Sequence, residues 1–126
     1  MAKVKVSSYI LYQDNLPKSF DGFKIAHISD LHSKPAEGIY DAIADHSPDI
    51  IAITGDLVHD DGEDYQRVVD LVRSLADIAP VYAVTGNHDL WRTNHKNLIA
   101  TLTDAGAKFL RSEMVKIKRG DDEISI

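Results

Sequence analysis

Three short polar clusters stand out in the 126 residues: Asp30-Leu31-His32, Gly55-Asp56 and Gly86-Asn87-His88-Asp89. Between them they offer carboxylate oxygen, imidazole nitrogen and amide oxygen. That donor set suits borderline divalent metals such as Mn²⁺, Fe²⁺ and Zn²⁺. Asp30 and His32 lie two apart, so on an extended or turning segment both can point the same way and clamp one ion. A carboxylate such as Asp56 has two oxygens and can bridge two ions. Cysteine is absent, which excludes thiolate zinc sites, disulfides and cysteine nucleophiles.

For the clusters to act together, the fold must bring them to one place, and each follows a short apolar run. Phe23–Ser29 reads as a strand that ends at Asp30. Ile50–Ile53 is continuously apolar, as in a strand buried on both faces, and ends at Thr54-Gly55-Asp56. Val81–Val84 is a third short strand, ending at Thr85-Gly86-Asn87-His88-Asp89. Helices are expected over Glu37–Ala44, stopped by Ser47-Pro48, and over about Glu63–Asp77. In the second helix, Tyr65, Val68, Val69, Val72, Leu75 and Ala76 form an amphipathic stripe. A third helix, Asn97–Asp104, uses Leu98, Ile99 and Leu102, and Gly106 fits its C-terminal cap.

Strands alternating with helices imply an α/β domain with a mostly parallel central sheet. In such sheets functional groups gather at the carboxyl ends of the strands, so the three clusters are expected to converge on one crevice. Around this unit, Val4–Tyr12 reads as a strand because it is rich in β-branched and aromatic residues. Ala107–Leu110 and Met114–Lys118 also read as strands. Gly120-Asp121-Asp122 is a hairpin-type turn, with Glu123–Ile126 starting the returning strand. A chain that stops inside a new strand reads as truncated at its C-terminus.

Composition narrows the partners. With 44% hydrophobic and 27% charged residues, the chain is an ordinary globular domain rather than a disordered one. A net charge of −6 argues against nucleic acid or an anionic membrane held by bulk electrostatics. It leaves a metal mechanism open, because bound cations supply positive charge locally. No apolar run approaches the roughly 20 residues of a membrane span, and the start is no signal peptide. A cytoplasmic or membrane-peripheral location is therefore expected.

The three clusters, in this order and each after an apolar strand, resemble the calcineurin-like metallophosphoesterases. That family's pattern runs Asp-x-His, Gly-Asp, Gly-Asn-His-Asp/Glu, then a lone His and Gly-His-x-His. The stretch from Leu16-Pro17 through Gly22-Phe23-Lys24-Ile25 to Asp30-Leu31-His32 is similar to a bacterial branch whose members are often tethered to the membrane. The resemblance covers nearly the whole chain and implies a layered α/β/β/α sandwich, of which residues 1–126 are the N-terminal part. It implies a metal-dependent phosphoric ester hydrolase acting on a phosphate mono- or diester, a phosphodiesterase among the options, through a metal-bridging hydroxide in a binuclear metal centre. It assigns Asp30 and His32 to the first metal, Asp56 to the bridge and Asn87 to the second metal. His88 would stand beside the phosphate, stabilising charge or protonating the leaving oxygen, with Asp89 orienting its ring.

The departure lies after Asp89, where only His95 follows and neither later histidine motif has a match. Two divalent ions (Mn, Fe or Zn) are expected for the family, but this chain is expected to hold only one well and to be impaired alone. An alternative is a non-catalytic metal-binding or scaffold module of the same fold; the retained His88 argues against it. A homo-oligomer covering the truncated edge is expected to hide exposed apolar surface.

The remaining features have plainer readings. His27, in mid-strand, is expected to be half-buried and hydrogen-bonded, and His46 to cap a helix C-terminus. His59 either lines the substrate cleft or stands on an exposed loop, and His95 is a surface residue. Trp91 and Arg92 are candidates for substrate contact, with core packing the alternative for Trp91. The acidic run Asp60-Asp61-Gly62-Glu63-Asp64 reads as a solvated helix N-terminus.

Overall fold

The computed structural model describes residues 6–28, 38–54, 65–84, 95–110 and 114–126. Among these, the continuously apolar run forms the middle of the architecture. Strand β2 (Ile50–Ile53) lies between β1 (Ile25–Ile28) and β3 (Val81–Ala83), with β4 (Ala107–Phe109) beyond β3. All three pairings are parallel, and the strands stand in chain order. A mixed α/β fold with a four-stranded parallel sheet is thus present, as the alternation of elements implied.

Three helices connect these strands among the described residues: α1 (Ile39–His46), α2 (Tyr65–Ala76) and α3 (His95–Asp104). Each crossover moves one strand further in the same direction, and such crossovers are right-handed almost without exception. All three helices must then fall on one face of the sheet. The contacts of α2 with both α1 and α3 agree.

The core lies between that helical layer and the sheet. Ile51, Ile53, Val81, Ala83 and Ala107 turn toward it from the strands, and Val68, Val69, Val72 and Leu75 meet them from α2. These four α2 residues belong to the stripe read from the sequence; Leu71 widens it by one position. The side chains of Tyr65 and Leu98 lie outside the described set. Since strand side chains alternate, Ile25, His27, Ile50, Ala52, Tyr82 and Lys108 occupy the opposite face. Ile50 and Phe20 are buried yet belong to no part of the helix-side cluster. On the opposite face Ile50 is buried, while Ile25, His27, Thr54 and Val84 are exposed among the described residues.

The final segment forms an antiparallel hairpin of β5 (Lys116–Arg119) and β6 (Asp122–Ser125). It docks at a 3₁₀ turn, Lys18–Phe20, where the Ser19 N–H donates to Asp122 Oδ2 at 3.4 Å. Arg119 sits over the Phe23 ring, which packs on Phe20.

Two expectations need correction. The strand over Val4–Tyr12 is not formed: residues 6–12 have no strand or helix, and residues 1–5 lie outside the described set. β-Propensity counts only when a neighbouring strand accepts the backbone bonds, and no described strand pairs with this segment. Tyr9, Ile10, Leu11 and Tyr12 remain exposed. Helix α1 runs two residues further than expected, to His46. Ser47, preceding Pro48, is barred sterically from continuing the helix, and it turns left-handed with φ 48°.

Candidate metal centre

The exits of the strands are fixed relative to one another by a staircase of backbone bonds. Ile28 pairs with Ile53, and Ile53 with Ala83. One residue further along, the Thr54 N–H donates to the Ile28 carbonyl at 3.0 Å. The Val84 N–H donates to the Ile53 carbonyl at 2.9 Å, and the Leu110 N–H to the Ala83 carbonyl at 2.9 Å. Parallel pairing therefore persists to the last described residue of β2 and β3, and the strand ends finish level.

The sequence continues from these ends directly into the polar clusters. Asp30 follows Ile28 by two residues, Asp56 follows Thr54 by two, and Asn87 follows Val84 by three. Asp30, His32, Asp56, Asn87, His88 and Asp89 all lie outside the described residues, as do His59, Trp91, Arg92 and the acidic run at 60–64. The structure thus describes the platform that carries the clusters. Among the described residues, no group of three or more His, Asp or Glu side chains could hold a metal. A shallow depression of about 440 Å³ lined by Gln13, Leu16, Pro17, Lys18 and Asp21 lies around the 3₁₀ turn and carries none of the motif residues.

Two histidines of the platform are described in full. His46 closes α1 as expected: its Nδ1–H donates to the Ala42 carbonyl at 2.7 Å, and its own carbonyl accepts from Lys24 Nζ at 3.2 Å. His27 differs from expectation in one respect. It is hydrogen-bonded, through Nε2 to Thr54 Oγ1 at 2.8 Å, but it is exposed rather than half-buried. The reason is position: among the described elements β1 is an edge strand, and His27 projects from the face away from the described helices. Sequence reasoning passed over its partner, Thr54. The available signal was parity, since Thr54 stands two residues beyond Ala52, which pairs with His27 in the ladder.

Comparison with known proteins bears on the same segments. The profile of the family described as calcineurin-like phosphoesterase matches residues 23–120. The metallophosphoesterase YkoQ of Bacillus subtilis is 32% identical over 98% of this chain, which covers 48% of that protein. The phosphodiesterase YaeI of Escherichia coli is 36% identical over 75% of this chain and 38% of its own length. Among solved structures, phosphopantetheinyl hydrolase of Mycobacterium tuberculosis superposes with a TM-score of 0.56 at 19% identity, over 81% of this chain and 40% of that one. This last is a likeness of fold. The chain spans about half, or less, of the length of these relatives.

Proposed function

The chain belongs to the calcineurin-like phosphoesterase family, and from that premise we propose that it supplies the first part of the metal site of a phosphoric ester hydrolase. Asp30 and His32 hold one divalent ion, Asp56 bridges to a second, and Asn87 binds the second. His88 stands beside the phosphate, with Asp89 accepting a hydrogen bond from its ring N–H.

The observation that supports this reading best is the strand order. A bridging ligand has to sit between the two sets of ligands it joins, and Asp56 follows β2, the strand flanked by β1 and β3. Neighbouring strands are about 4.8 Å apart, so the exits of β1 and β3 are separated by roughly 10 Å. Two or three further residues reach about 7–10 Å. That is enough for groups on the outer strands to approach Asp56 from either side, within the roughly 4 Å metal–metal spacing of two-metal sites. The donor chemistry fits as well: carboxylate, imidazole and amide oxygen suit Mn²⁺, Fe²⁺ or Zn²⁺.

When bound, the ions would lower the pKa of the attacking water and draw charge from the phosphoryl oxygens. The residues of this chain supply the rest. Asp30, His32, Asp56 and Asn87 would hold those ions in place. His88 stabilises negative charge or gives a ring-nitrogen proton to the departing oxygen, and Asp89 fixes the tautomer that makes this work. Phosphate mono- and diesters are both in scope. The 126 residues offer three donors to the first ion and two to the second, so this chain holds one ion well and turns over slowly by itself.

The test is metal analysis after dialysis, beside hydrolysis of p-nitrophenyl phosphate and its bis-ester with Mn²⁺. About one ion per chain is expected, lost in Asp30→Asn and Asp56→Asn, with any turnover removed by His88→Ala while the ion is kept. Metal content unchanged in Asp56→Asn would overturn the site. Two tightly held ions with fast turnover would overturn the account of the chain alone.

A further inference from the structure

Two exposed side chains meet across the strand exits, and the fold itself does not need them to. His27 Nε2 and Thr54 Oγ1 are 2.8 Å apart, joined by a hydrogen bond whose proton lies on one atom or the other according to the ring tautomer. Both residues are exposed, and a solvent-exposed hydrogen bond adds little to folding because water replaces it at small cost. The pairing of β1 with β2 is already complete without it. The ladder runs from Ile25–Ile50 to Ile28–Ile53 and continues through the Thr54 N–H to the Ile28 carbonyl.

What the bond adds is a fixed relation between the two segments that leave the sheet there. Thr54 is two residues before Asp56, and His27 is three before Asp30. The contact is thus the last described side-chain tie between the strand that leads to Asp30 and His32 and the strand that leads to Asp56. It also lies on the face that carries none of the described helices, at the carboxyl end of the strands. The backbone bond fixes the height of Thr54 against β1, and the side-chain bond restrains its rotation about the strand axis. Metal ligands must be held to within about half an ångström, so a tie at this point bears on the distance between the Asp30/His32 pair and Asp56.

We propose that His27 and Thr54 form a positioning clamp that sets the spacing of the Asp30/His32 and Asp56 segments for metal binding. The inference rests on the metal-site reading above. Neither residue is a ligand or a catalytic residue. They act through the chain that follows them, as the groups supporting metal ligands commonly do, and losing such support typically costs 10- to 100-fold in affinity.

The experiment is Mn²⁺ titration of the full chain by calorimetry, with the EPR spectrum of the bound ion as a second readout. Thr54→Val keeps the shape and β-branching of threonine and removes only the hydroxyl; His27→Ala removes the other partner. Each is expected to weaken Mn²⁺ binding about tenfold and to broaden the spectrum, with the melting temperature unchanged. Thr54→Ser, which keeps the hydroxyl, is expected to bind as the wild type does. The double variant His27→Ala/Thr54→Val is expected to be no weaker than either single, because both remove one contact. Wild-type affinity in both singles, a Thr54→Ser variant as weak as Thr54→Val, or additive losses in the double variant would each overturn the clamp. Asp30→Asn and Asp56→Asn separate the two levels. If they lose Mn²⁺ while the clamp variants keep it, only the clamp is wrong; if they keep it, the metal-site reading fails and the clamp fails with it.

Discussion

Of Gly22, Gly106 and Gly120, Gly106 is the one where an added methyl group meets the tightest contact. It ends the turn between α3 and β4 with φ +120°, and a Cβ built there would meet Ala76 Cβ, at the end of α2, at 2.6 Å. The Gly106→Ala substitution therefore has two costs. An L-residue forced into that backbone region costs about 1–3 kcal/mol. Carbon atoms rest at about 3.5–4.0 Å, so the contact must open by roughly 1 Å. Ala76 cannot yield freely, since Leu75 and Val72 beside it are buried against the sheet. Overpacking of this kind costs about 1–3 kcal/mol more. The sum, about 2–6 kcal/mol, is a large share of the 5–15 kcal/mol typical of a domain. A fall in melting temperature of about 8–24 °C is expected, at about 4 °C per kcal/mol for a domain near this size. Circular dichroism melts and urea titrations read the effect, and Gly22→Ala is the control. Gly22 also has positive φ, +76°, but nothing lies within 4 Å of the place its methyl group would take, so only the backbone cost of about 1–2 kcal/mol applies. Adding Ala76→Gly to Gly106→Ala should recover about 1 kcal/mol relative to additivity. Equal losses at the two glycines, or a Gly106→Ala variant within about 0.5 kcal/mol of wild type, would refute the reasoning.

Two further outcomes follow from the exposed segment and from the hairpin. Chymotrypsin should cut first after Tyr9, Leu11 or Tyr12, which are 84%, 82% and 87% exposed in a stretch with no secondary structure; a first cut after buried Phe20, read by mass spectrometry, would contradict this. Arg119 Nη1 is 3.7 Å from Asp49 Oδ2 and counts as an ion pair, yet it is buried with no hydrogen-bond partner. The distance is too long for a hydrogen bond, so the pairing is weak Coulomb attraction and Arg119→Met should change stability by less than about 1 kcal/mol. Asp49→Ala should cost more, about 1–2 kcal/mol, because the same Oδ2 also accepts the Lys24 N–H at 2.7 Å. A urea titration in which Arg119→Met is the costlier change would reverse this account.

Much of the architecture was legible because its signals are local. Ile50–Ile53 could only be a doubly buried strand, and the spacing of Val68, Val69, Val72 and Leu75 could only suit a helix lying on a sheet. Strand β3 and Gly106 at the end of α3 were legible for the same reason: an apolar run and a turn residue carry their meaning in a few neighbouring positions. Asp30, His32, Asp56 and Asn87 offer a metal-donor set by type and order, with His88 beside them as a phosphate-side candidate, and all five lie outside the described residues. Three things depended on what lies alongside. Val6–Tyr12 has the composition of a strand and is not one, because a strand exists only when a neighbour completes its hydrogen bonds. His27 looked like a residue of a half-buried strand and is exposed, because among the described strands β1 lies at the edge and presents it on the face away from the described helices. And the tie between His27 and Thr54, 27 residues apart, exists only because parallel pairing brings the two strands level at their exits. The sequence by itself determined which groups could do chemistry and which segments carry them. The tertiary structure decided which carrier stands in the middle, because lateral strand order is set by crossover handedness and by burial of the helical layer, and no local pattern encodes either.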